Sequence, residues 1–422
     1  MLKEQLRDMR VIMLSWEYPP RIVGGISRHL YDLAHALQKQ GVEVHVVTCE
    51  HKGAAAEEVE DGIHIYRVTP SWSGENFVHW VQLLNDAMYI RAEQLITELI
   101  GQNKDGSLKK VNPKKPIILH AHDWLAHFSA ARLKYRFKLP MVSTIHATER
   151  GRNDGIYTDL QKYINSVEWE LQHESWRVIV CTDYMRRECE SAFGTPWYKM
   201  DVIYNGVEPE KFAVPQFASE GERAEFRARY ALPNEKLIFF VGRMVREKGV
   251  QILIDALPKI RWGYNDAKLI IVGGGHKQHL IDQVNAMGMQ DYVVFTGFVP
   301  DEDLMKIFQV IDVACFPSLY EPFGIVALEA MAAKVPVVVS NAGGLPEVVE
   351  NEVTGMTSYA GNPNSLADCI IKTLCGQDRT REMVATATQR IDTIFNWNNL
   401  ATQTVEVYER VWNEYKNVDW AN

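Results

Sequence analysis

Two carboxylates after an apolar run are the residues of this sequence best placed to do chemistry. The segment 316–332 reads FPSLYEPFGIVALEAMA, which puts Glu321 in a turn after a strand and Glu329 in a helix that begins near Gly324. A helix N-terminus can hold phosphate, and a carboxylate can accept hydrogen bonds from hydroxyl groups such as those of a sugar. Inside an apolar helix the Glu329 carboxylate is costly unless it has a ligand or a structural partner. A general acid–base pair is another interpretation, although these two carboxylates need not face each other.

Two cations follow a second apolar run. Gly242-Arg243 ends the strand predicted at 237–241, and Lys248-Gly249 opens the next helix. Arg243 offers a fork of donors and Lys248 a compact charge, a combination that suits a diphosphate. Both could instead be solvated surface cations, but their position at a strand end favours an anion site.

Small or polar residues follow three other predicted strands. Gly24 and Gly25 stand after the first strand, where glycine lets the backbone approach a ligand and a new helix directs N–H groups towards phosphate or a sugar oxygen. The motif His120-Ala121-His122-Asp123-Trp124 suggests a metal ion, but we expect Asp123 to be the N-cap of the next helix. His146 reaches the same sheet edge just before a loop.

Composition restricts the class of protein. The 422 residues are 46% hydrophobic and 23% charged, enough for two domains. The net charge of −9 disfavours nucleic-acid binding, and the 6 cysteines contain no C-x-x-C pair, which predicts no zinc site, no disulfide framework and a reducing compartment. Apolar runs are far shorter than the roughly 20 residues of a membrane helix. Residues 1–8 are charged, unlike a secretory signal, so we expect a cytoplasmic protein without integral membrane association.

Short apolar runs alternate with amphipathic stretches, which predicts doubly wound α/β domains whose parallel sheets are covered on both faces. Such sheets bind ligands beyond the carboxyl ends of their strands. The pattern restarts after Asn205-Gly206, which predicts one domain over 1–207 and a second over 208–396, followed by a helix within 397–422 that could pack on either domain.

The predicted elements leave two regions without regular structure. We interpret 71–112 as irregular, ending in a solvated surface insertion, and 147–157 as a mobile loop. Between 208 and 235 no strand is expected. The predicted strands are 10–16, 42–49, 117–120, 140–146, 178–182, 237–241, 267–272, 292–296, 313–316 and 336–339, and the predicted helices are 25–40, 123–137, 249–260, 277–287, 301–310, 324–333, 365–374, 379–391 and 397–416.

The Glu321-x7-Glu329 segment resembles the signature of retaining GT-B glycosyltransferases of the large family 4 grouping. The resemblance implies two facing Rossmann-like domains, with the C-terminal helix crossing back to the first. It covers nearly the whole chain, through motifs that match in order: Trp16-Glu17-Tyr18-Pro19-Pro20 with Gly24-Gly25, His120-Ala121-His122-Asp123-Trp124, Tyr204-Asn205-Gly206-Val207, Val241-Gly242-Arg243 with Glu247-Lys248-Gly249, Val272-Gly273-Gly274-Gly275, and Asn341-Ala342-Gly343-Gly344-Leu345-Pro346-Glu347.

The resemblance assigns a role to each matching residue. Arg243 and Lys248 would bind the diphosphate of a nucleotide sugar, Glu321 would hold the donor sugar, and Glu329 would bind the ribose hydroxyls. His146 would face the donor sugar near the reacting carbon. We group His146, Arg243, Lys248 and Glu321 as catalytic, and the remaining implied donor-binding residues are Gly24, Gly25, Asp123, Asn205, Phe323, Gly324, Ile325, Val326 and Glu329.

The resemblance also implies the course of the reaction. Retention in this family is drawn as attack on the same face of the sugar, with the leaving phosphate accepting the acceptor's proton, which fits the lack of an obvious base. Arg243, Lys248 and a helix dipole would stabilise the departing diphosphate without a metal ion. No cofactor is expected, because the nucleotide sugar is a substrate.

The acceptor is suggested by the loop 146–152, HATERGR. It resembles the branch of bacterial glycogen-synthase-like enzymes that build short α-1,4-glucans or maltose 1-phosphate from ADP-glucose. Ile22 departs from the lysine of glycogen synthases proper, which argues against polymer elongation. Arg150 and Arg152 could bind a phosphorylated acceptor or be solvated loop cations. We therefore predict transfer of glucose from ADP- or UDP-glucose to a sugar or phosphosugar.

Two alternatives remain at this stage. A peripheral-membrane transferase with a lipid acceptor would use basic residues near the helix that follows Asp123, namely Arg132, Lys134, Arg136 and Lys138. A non-catalytic nucleotide-sugar-binding protein is the other, although the set of Arg243, Lys248, Glu321 and Glu329 argues against it.

Overall fold

The computed structural model describes residues 9–112, 114–418 and 420. The charged stretch 1–8, on which the prediction about a secretory signal rests, lies outside the described residues. The chain divides into two compact units. Unit 1 contains the described residues up to Asn205 together with those from Trp397 onwards, and unit 2 runs from Gly206 to Asn396.

Unit 1 is an eight-stranded sheet with helices. Its strands are β1 (Arg10–Ser15), β2 (Glu43–Cys49), β3 (Glu57–Glu60), β4 (Ile63–Val68), β5 (Ile117–His122), β6 (Met141–Ile145), β7 (Arg177–Val180) and β8 (Met200–Val202). They lie in the order β3-β4-β2-β1-β5-β6-β7-β8, and all neighbours are parallel except β3 and β4. The helices are α1 (Gly25–Lys39), α2 (Phe77–Ile100), α3 (His127–Phe137), α4 (Glu149–Arg152), α5 (Asp159–Glu174), α6 (Asp183–Phe193) and the C-terminal helix (Trp397–Tyr415).

Several elements of unit 1 were not predicted from the sequence, namely the strands β3, β4 and β8 and the helices α2, α4, α5 and α6. Two of these features, the β3–β4 hairpin and α2, have usable signals in the sequence. The antiparallel hairpin β3–β4 turns at Asp61 and Gly62, which have φ of 48° and 83°. This Asp-Gly turn is a strong hairpin signal that went unused. The second is α2, a helix of 24 residues within the region 71–112 that we had interpreted as irregular. Its buried residues recur every three or four positions, so a helical pattern was present among the aromatic and polar residues: Val81, Leu84, Met88, Ala92, Leu95 and Ile96.

The C-terminal helix belongs to unit 1. Its Leu400, Val405 and Tyr408 are buried in one core with residues of α1, β1 and β2. The Tyr408 hydroxyl lies 2.6 Å from Nδ1 of His120 on β5. On the solvent side, Gln40 donates to the Asn398 carbonyl at 2.8 Å. This confirms the expectation from the resemblance that the C-terminal helix returns to the first domain, which the apolar pattern alone had left open.

Unit 2 is a six-stranded parallel sheet. Its strands are β9 (Lys236–Val241), β10 (Ala267–Val272), β11 (Val293–Gly297), β12 (Val313–Phe316), β13 (Val337–Ser340) and β14 (Met356–Ser358), in the order β11-β10-β9-β12-β13-β14. Its helices are α7 (Pro209–Ala213), α8 (Glu220–Ala228), α9 (Val250–Gly263), α10 (Gln278–Ala286), α11 (Asp301–Phe308), α12 (Ile325–Ala332), α13 (Leu345–Val348), α14 (Pro363–Cys375) and α15 (Gln377–Thr393).

This architecture confirms the predicted fold class of doubly wound parallel sheets. In unit 2 the strand order reverses between β9 and β12, because β9 is followed in sequence by β10 on one side and joined by β12 on the other. Ligands of such sheets bind at this switch point, beyond the carboxyl ends of the strands. As expected, 208–235 contains helices and no strand. Among the described residues, no helix combines the length and apolar character needed to cross a bilayer.

Candidate functional site

The loops that follow β9 and β12 interlock at the switch point of unit 2. Leu319, after β12, donates its N–H to the Glu247 carbonyl at 2.7 Å. Gly249, after β9, has a φ of 72°, and a Cβ at this position would lie 1.9 Å from the Pro317 carbonyl oxygen. Only glycine therefore permits the two loops to approach so closely.

This approach joins two of the predicted catalytic side chains. The Lys248 ammonium donates to Oε2 of Glu321 at 2.7 Å, and the Ser318 hydroxyl lies 3.4 Å from the same oxygen. Both Ser318 and Glu321 are buried. Lys248 and Glu321, which are 73 positions apart in the sequence, thus form one ion pair at the carboxyl edge of the sheet.

A third loop fixes the backbone of Glu321. Gly344, after β13, donates its N–H to the Glu321 carbonyl at 2.8 Å. Gly343 has a φ of 60°, and a Cβ there would lie 2.0 Å from the Glu321 carbonyl oxygen. The matched motif around Gly343-Gly344 therefore positions Glu321 through the backbone.

Arg243 lies on the same edge with a more open side chain. Its side chain is 53% exposed, and its guanidinium is 3.6 Å from the carboxylate of Glu247. The Arg243 loop is held by glycines that follow β10. A Cβ on Gly273 would lie 1.8 Å from the Gly242 carbonyl oxygen, so only glycine fits there. Met244 donates its N–H to the Gly274 carbonyl at 3.0 Å. Arg243 is thus anchored by its backbone while its guanidinium stays accessible to an anion.

The helix α12 begins beside Glu321. Gly324 precedes it with a φ of 110°, and Ala327 donates back to the Gly324 carbonyl at 3.0 Å. Ile325 and Val326 are therefore in the first turn, where N–H groups point out of the helix towards any anion. Phe323 is buried against Phe395, with ring centroids 6.1 Å apart, and Glu329 is buried on the same helix.

In unit 1 the strand ends gather four imidazoles. His120 and His122, two positions apart on β5, have ring centroids 4.2 Å apart, as expected for one face of a strand. His122 Nδ1 is 3.1 Å from His146 Nε2, and His29 Nδ1 is 2.7 Å from the Asn205 side-chain oxygen. Burial lowers the pKa of His146 to about 3, so its imidazole is neutral at physiological pH.

The prediction that Asp123 is a helix N-cap is wrong. Its side chain caps no helix, and its Oδ1 instead accepts the His146 N–H at 2.7 Å. Residues 124–126 form a single 3-10 turn before α3 begins at His127. Burial raises the pKa of Asp123 to about 6, against the opposing charge of Arg152, whose guanidinium is 3.8 Å from Oδ2. Asp123 therefore holds the start of the loop that carries His146.

The region 147–157, predicted as a mobile loop, contains the short helix α4, so it is not wholly irregular. Thr148 accepts the Gly151 N–H at 2.9 Å, and buried Glu168 on α5 accepts the Glu149 N–H at 2.8 Å. Burial is the main cause that raises the pKa of Glu168 to about 8. The two candidate acceptor residues differ, because Arg152 lies beside Asp123 while Arg150 is exposed.

The Gly24-Gly25 turn is organised by a residue that sequence reasoning did not select. Buried Glu17 accepts the N–H groups of Val23 at 2.6 Å and Gly24 at 2.9 Å. The Gly24 N–H is therefore engaged by Glu17, and the outward N–H groups predicted here can come only from the first turn of α1, which begins at Gly25.

Three residues that support these sites were missed: Glu17, His29 and Glu168. Glu17 follows a strand, which is a usable signal. His29 and Glu168 stand on helix faces, where a polar residue next to apolar neighbours such as Leu30 gives no indication of its partner. Their partners come from other strands and helices, so spacing alone could not identify them.

The fold and the site together define the class of protein. Two doubly wound parallel-sheet units, with cations, a carboxylate and a helix start at the switch point of the second, are those of a GT-B glycosyltransferase. Family models match both units: Glycosyltransferase Family 4 over residues 23–211 and Glycosyl transferases group 1 over 222–390. The chain belongs to this glycosyltransferase family.

Individual relatives match along almost their whole length. An uncharacterized glycosyltransferase of Methanocaldococcus jannaschii is 39% identical over 403 residues, which are 95% of this chain and 98% of the relative. A glycogen synthase of Mycobacterium tuberculosis is 34% identical over 412 residues, 95% of this chain and 94% of the relative. The fold is similar to that of sucrose-phosphate synthase from Thermosynechococcus elongatus, with a TM-score of 0.78 and 23% identity over 96% of this chain and 100% of that one.

Replacing Gly343 by alanine tests the contact that positions Glu321. Because the site has a φ of 60° and no room for a Cβ, we expect Gly343→Ala to lower the free energy of unfolding by about 3 kcal/mol and to weaken nucleotide-sugar binding. Urea denaturation and calorimetric titration measure the two effects. Gly274→Ala is the matched control, because its Cβ would meet nothing within 4 Å. Equal stability of the two variants would contradict the close approach.

The buried Glu168 predicts a pH-dependent effect on stability. The pKa of Glu168 is raised from 4.5 to about 8 in the folded protein. Its contribution to the free energy of unfolding is therefore fully present below pH 4.5 and is lost as the pH rises to 8. Glu168→Gln keeps an acceptor for Glu149 but cannot ionise. Between pH 5 and pH 8 the variant should therefore gain on the order of 1 kcal/mol or more relative to the native protein.

Chemical denaturation at several pH values measures this difference. Asp159→Asn, at a side chain 97% exposed on the same helix, is the control and should show no comparable gain. A pH-independent difference between Glu168→Gln and the native protein would contradict the buried carboxylate.

Proposed function

We propose that this protein is a retaining, metal-independent glucosyltransferase that moves glucose from ADP- or UDP-glucose to a sugar or phosphosugar acceptor. The observation that carries the proposal is the Lys248–Glu321 ion pair of 2.7 Å, with Arg243 on the neighbouring loop, at the switch point of unit 2. The family supports glycosyl transfer, and the glycogen synthase relative supports glucose as the transferred sugar.

Charge on the leaving group is the main problem of this reaction. As the bond from the anomeric carbon to phosphate breaks, negative charge grows on the diphosphate, and prearranged donors stabilise that charge best. Lys248 has three N–H donors and uses one on Glu321, so it can also hold a phosphate oxygen. Arg243 and the first turn of α12 supply further donors. No metal ion is needed for this step.

The carboxylates take the complementary tasks. Glu321, fixed by Lys248 and by Gly344, would accept hydrogen bonds from hydroxyls of the donor sugar, and Glu329 would do the same for the ribose. His146, neutral because it is buried, would donate or accept a hydrogen bond at the sugar without adding charge. The departing phosphate would take the proton of the acceptor, so attack occurs on the face that the phosphate leaves and the configuration is retained.

A phosphosugar acceptor is supported by Arg150. It is exposed on α4, whose first turn is fixed by Glu168, while Arg152 lies 3.8 Å from the carboxylate of Asp123. Arg150 is therefore the better of the two candidates for a phosphate. A fixed backbone with an exposed guanidinium suits bidentate recognition of phosphate.

The lipid-acceptor alternative is weakened in unit 1, because three of the four basic residues that it would use have acidic partners, Lys138 being the fourth. Each of three basic residues of α3 has an acidic partner: Arg132 pairs with Asp86, Lys134 with Glu174 and Arg136 with Glu93, at 2.5, 2.7 and 3.1 Å. Paired cations attract an anionic bilayer less than free ones. The alternative of binding without catalysis is tested by the transfer assay below.

Removal of the Arg243 guanidinium should lower transfer. We expect Arg243→Ala to reduce kcat/KM with ADP- or UDP-glucose by roughly 100- to 1000-fold, because one stabilising donor to the leaving group is lost. Product analysis by proton NMR should show the α configuration of the donor preserved. Arg246→Ala, an exposed arginine of the same loop, is the control and should stay within about twofold of the native rate.

Two results would contradict this assignment. Full activity of Arg243→Ala would contradict the role of Arg243 in stabilising the leaving diphosphate. A β-configured first product would exclude a retaining mechanism. Binding of nucleotide sugars without hydrolysis or transfer to any maltodextrin, phosphosugar or lipid acceptor would favour the non-catalytic alternative.

Arg150→Ala should separate acceptors by their charge. We expect its KM for glucose 1-phosphate to rise about tenfold, because a charge-assisted hydrogen bond is lost, while kinetics with an unphosphorylated maltodextrin stay unchanged. Initial-rate assays with each acceptor measure the ratio. Lys162→Ala, an exposed cation on α5, is the control. Equal KM values for native protein and Arg150→Ala would show that Arg150 is a solvated loop cation.

A further inference from the structure

Three histidines of unit 1 bring their ring nitrogens to one point. His29 on α1, His122 at the end of β5 and His146 after β6 each offer a nitrogen, and these three nitrogens lie within 4.8 Å of one another. His29 and His122 are buried and His146 is partly buried. Three different elements of one unit therefore direct neutral imidazoles into one shared space. Histidines that are neighbours on a protein surface do not converge in this way.

One of the nitrogens available to a ligand is unsatisfied. Among the described residues, His29 Nε2 is buried and has no hydrogen-bond partner. A buried polar atom without a partner is costly, and in a native structure such atoms often mark a ligand or ion. His120 provides a contrast within the same cluster, because its two nitrogens lie 2.6 Å from the Tyr408 hydroxyl and 2.7 Å from the Thr144 hydroxyl.

We propose that His29, His122 and His146 bind one transition-metal ion of the zinc class. His29 Nδ1 is 2.7 Å from the Asn205 oxygen, which places the proton on Nδ1 and leaves the lone pair of Nε2 for a metal. His122 Nδ1 and His146 Nε2 are 3.1 Å apart. This separation is close to the roughly 3.3 Å between two imidazole ligands of a tetrahedral zinc ion with bonds of about 2.0–2.1 Å.

The three imidazole ligands determine which metal ions suit the site. Three imidazoles suit Zn²⁺, Cu²⁺ or Ni²⁺, whereas Mg²⁺ prefers oxygen ligands. Negative charge is close by, since the buried Asp123 carboxylate accepts the His146 N–H at 2.7 Å. Three protein ligands leave the fourth tetrahedral position for water or another small ligand.

Metal binding would have a consequence for transfer. A metal on His146 Nε2 removes that nitrogen from any contact with sugar, so occupancy should inhibit the reaction. This consequence rests on the proposed role of His146 in glucosyl transfer, whereas metal binding itself does not. The ion would thus act as an inhibitor and would take no part in the metal-independent reaction proposed above.

Metal binding is tested on the full chain after treatment with a chelator. Zn²⁺ is titrated in competition with a chromophoric chelator, and Co²⁺ is added separately to record its visible absorption. We expect one tight Zn²⁺ per chain, an absorption typical of tetrahedral Co²⁺, and no binding of Mg²⁺ at millimolar concentration. His29→Gln and His122→Gln should each weaken Zn²⁺ binding at least roughly 100-fold.

The control removes two other histidines that could bind metal at the surface. His276 and His279 of unit 2 are exposed, with stacked rings 5.8 Å apart. The double variant His276→Ala/His279→Ala should keep the tight Zn²⁺ site. Circular dichroism without metal checks the fold of every variant. If one of the two glutamine variants does not fold, the other still tests the site.

The outcomes separate this proposal from the proposed function. Native-like Zn²⁺ affinity in a folded His29→Gln or His122→Gln variant, or loss of the tight site in the double variant, would overturn the metal site. Tight Zn²⁺ binding without inhibition of transfer would keep the metal site and contradict only the role of His146. An Arg243→Ala variant that binds Zn²⁺ normally but lacks transfer would support both.

Discussion

The candidate site of unit 2 depends on the close approach of the loops that follow β9, β12 and β13. Gly249 meets the Pro317 carbonyl and Gly343 meets the Glu321 carbonyl at distances that exclude a Cβ. Backbone hydrogen bonds then join these loops, so the Lys248–Glu321 pair forms on a rigid edge. Because the backbone fixes both partners, their charged atoms need little rearrangement when charge develops on a ligand.

Unit 1 achieves order by a different means, through buried titratable groups. Asp123 joins the end of β5 to the backbone of His146, Glu168 joins α5 to the first turn of α4, and Glu17 joins the end of β1 to the Gly24 turn. Each carboxylate accepts at least one backbone N–H from the segment that follows a parallel strand. Burial raises the pKa of all three, so the same groups that order the loops make their stability sensitive to pH.

The two units differ in how firmly they hold the side chains of their candidate sites. The charged side chains of the candidate site in unit 2 stand on loops held by strands and glycine turns, which tolerate little change. Arg150 stands on a four-residue helix whose attachment is a hydrogen bond from Glu149 to Glu168 and a cap by Thr148. Substitution of exposed residues on such an element changes what it can bind with little effect on the sheet.

The sequence by itself determined the fold class and most of the strands and helices, and it selected Lys248 and Glu321, which the structure brings together, because apolar periodicity and glycine turns are local signals. It missed α2 and the β3–β4 hairpin, where usable signals were present. It also misassigned Asp123, whose partner is the backbone of His146 after another strand. The return of the C-terminal helix to unit 1 was implied by the resemblance, whereas only the tertiary structure decided that His29, His122 and His146 meet. These contacts link positions more than twenty residues apart, and spacing along a chain carries no information about such partners.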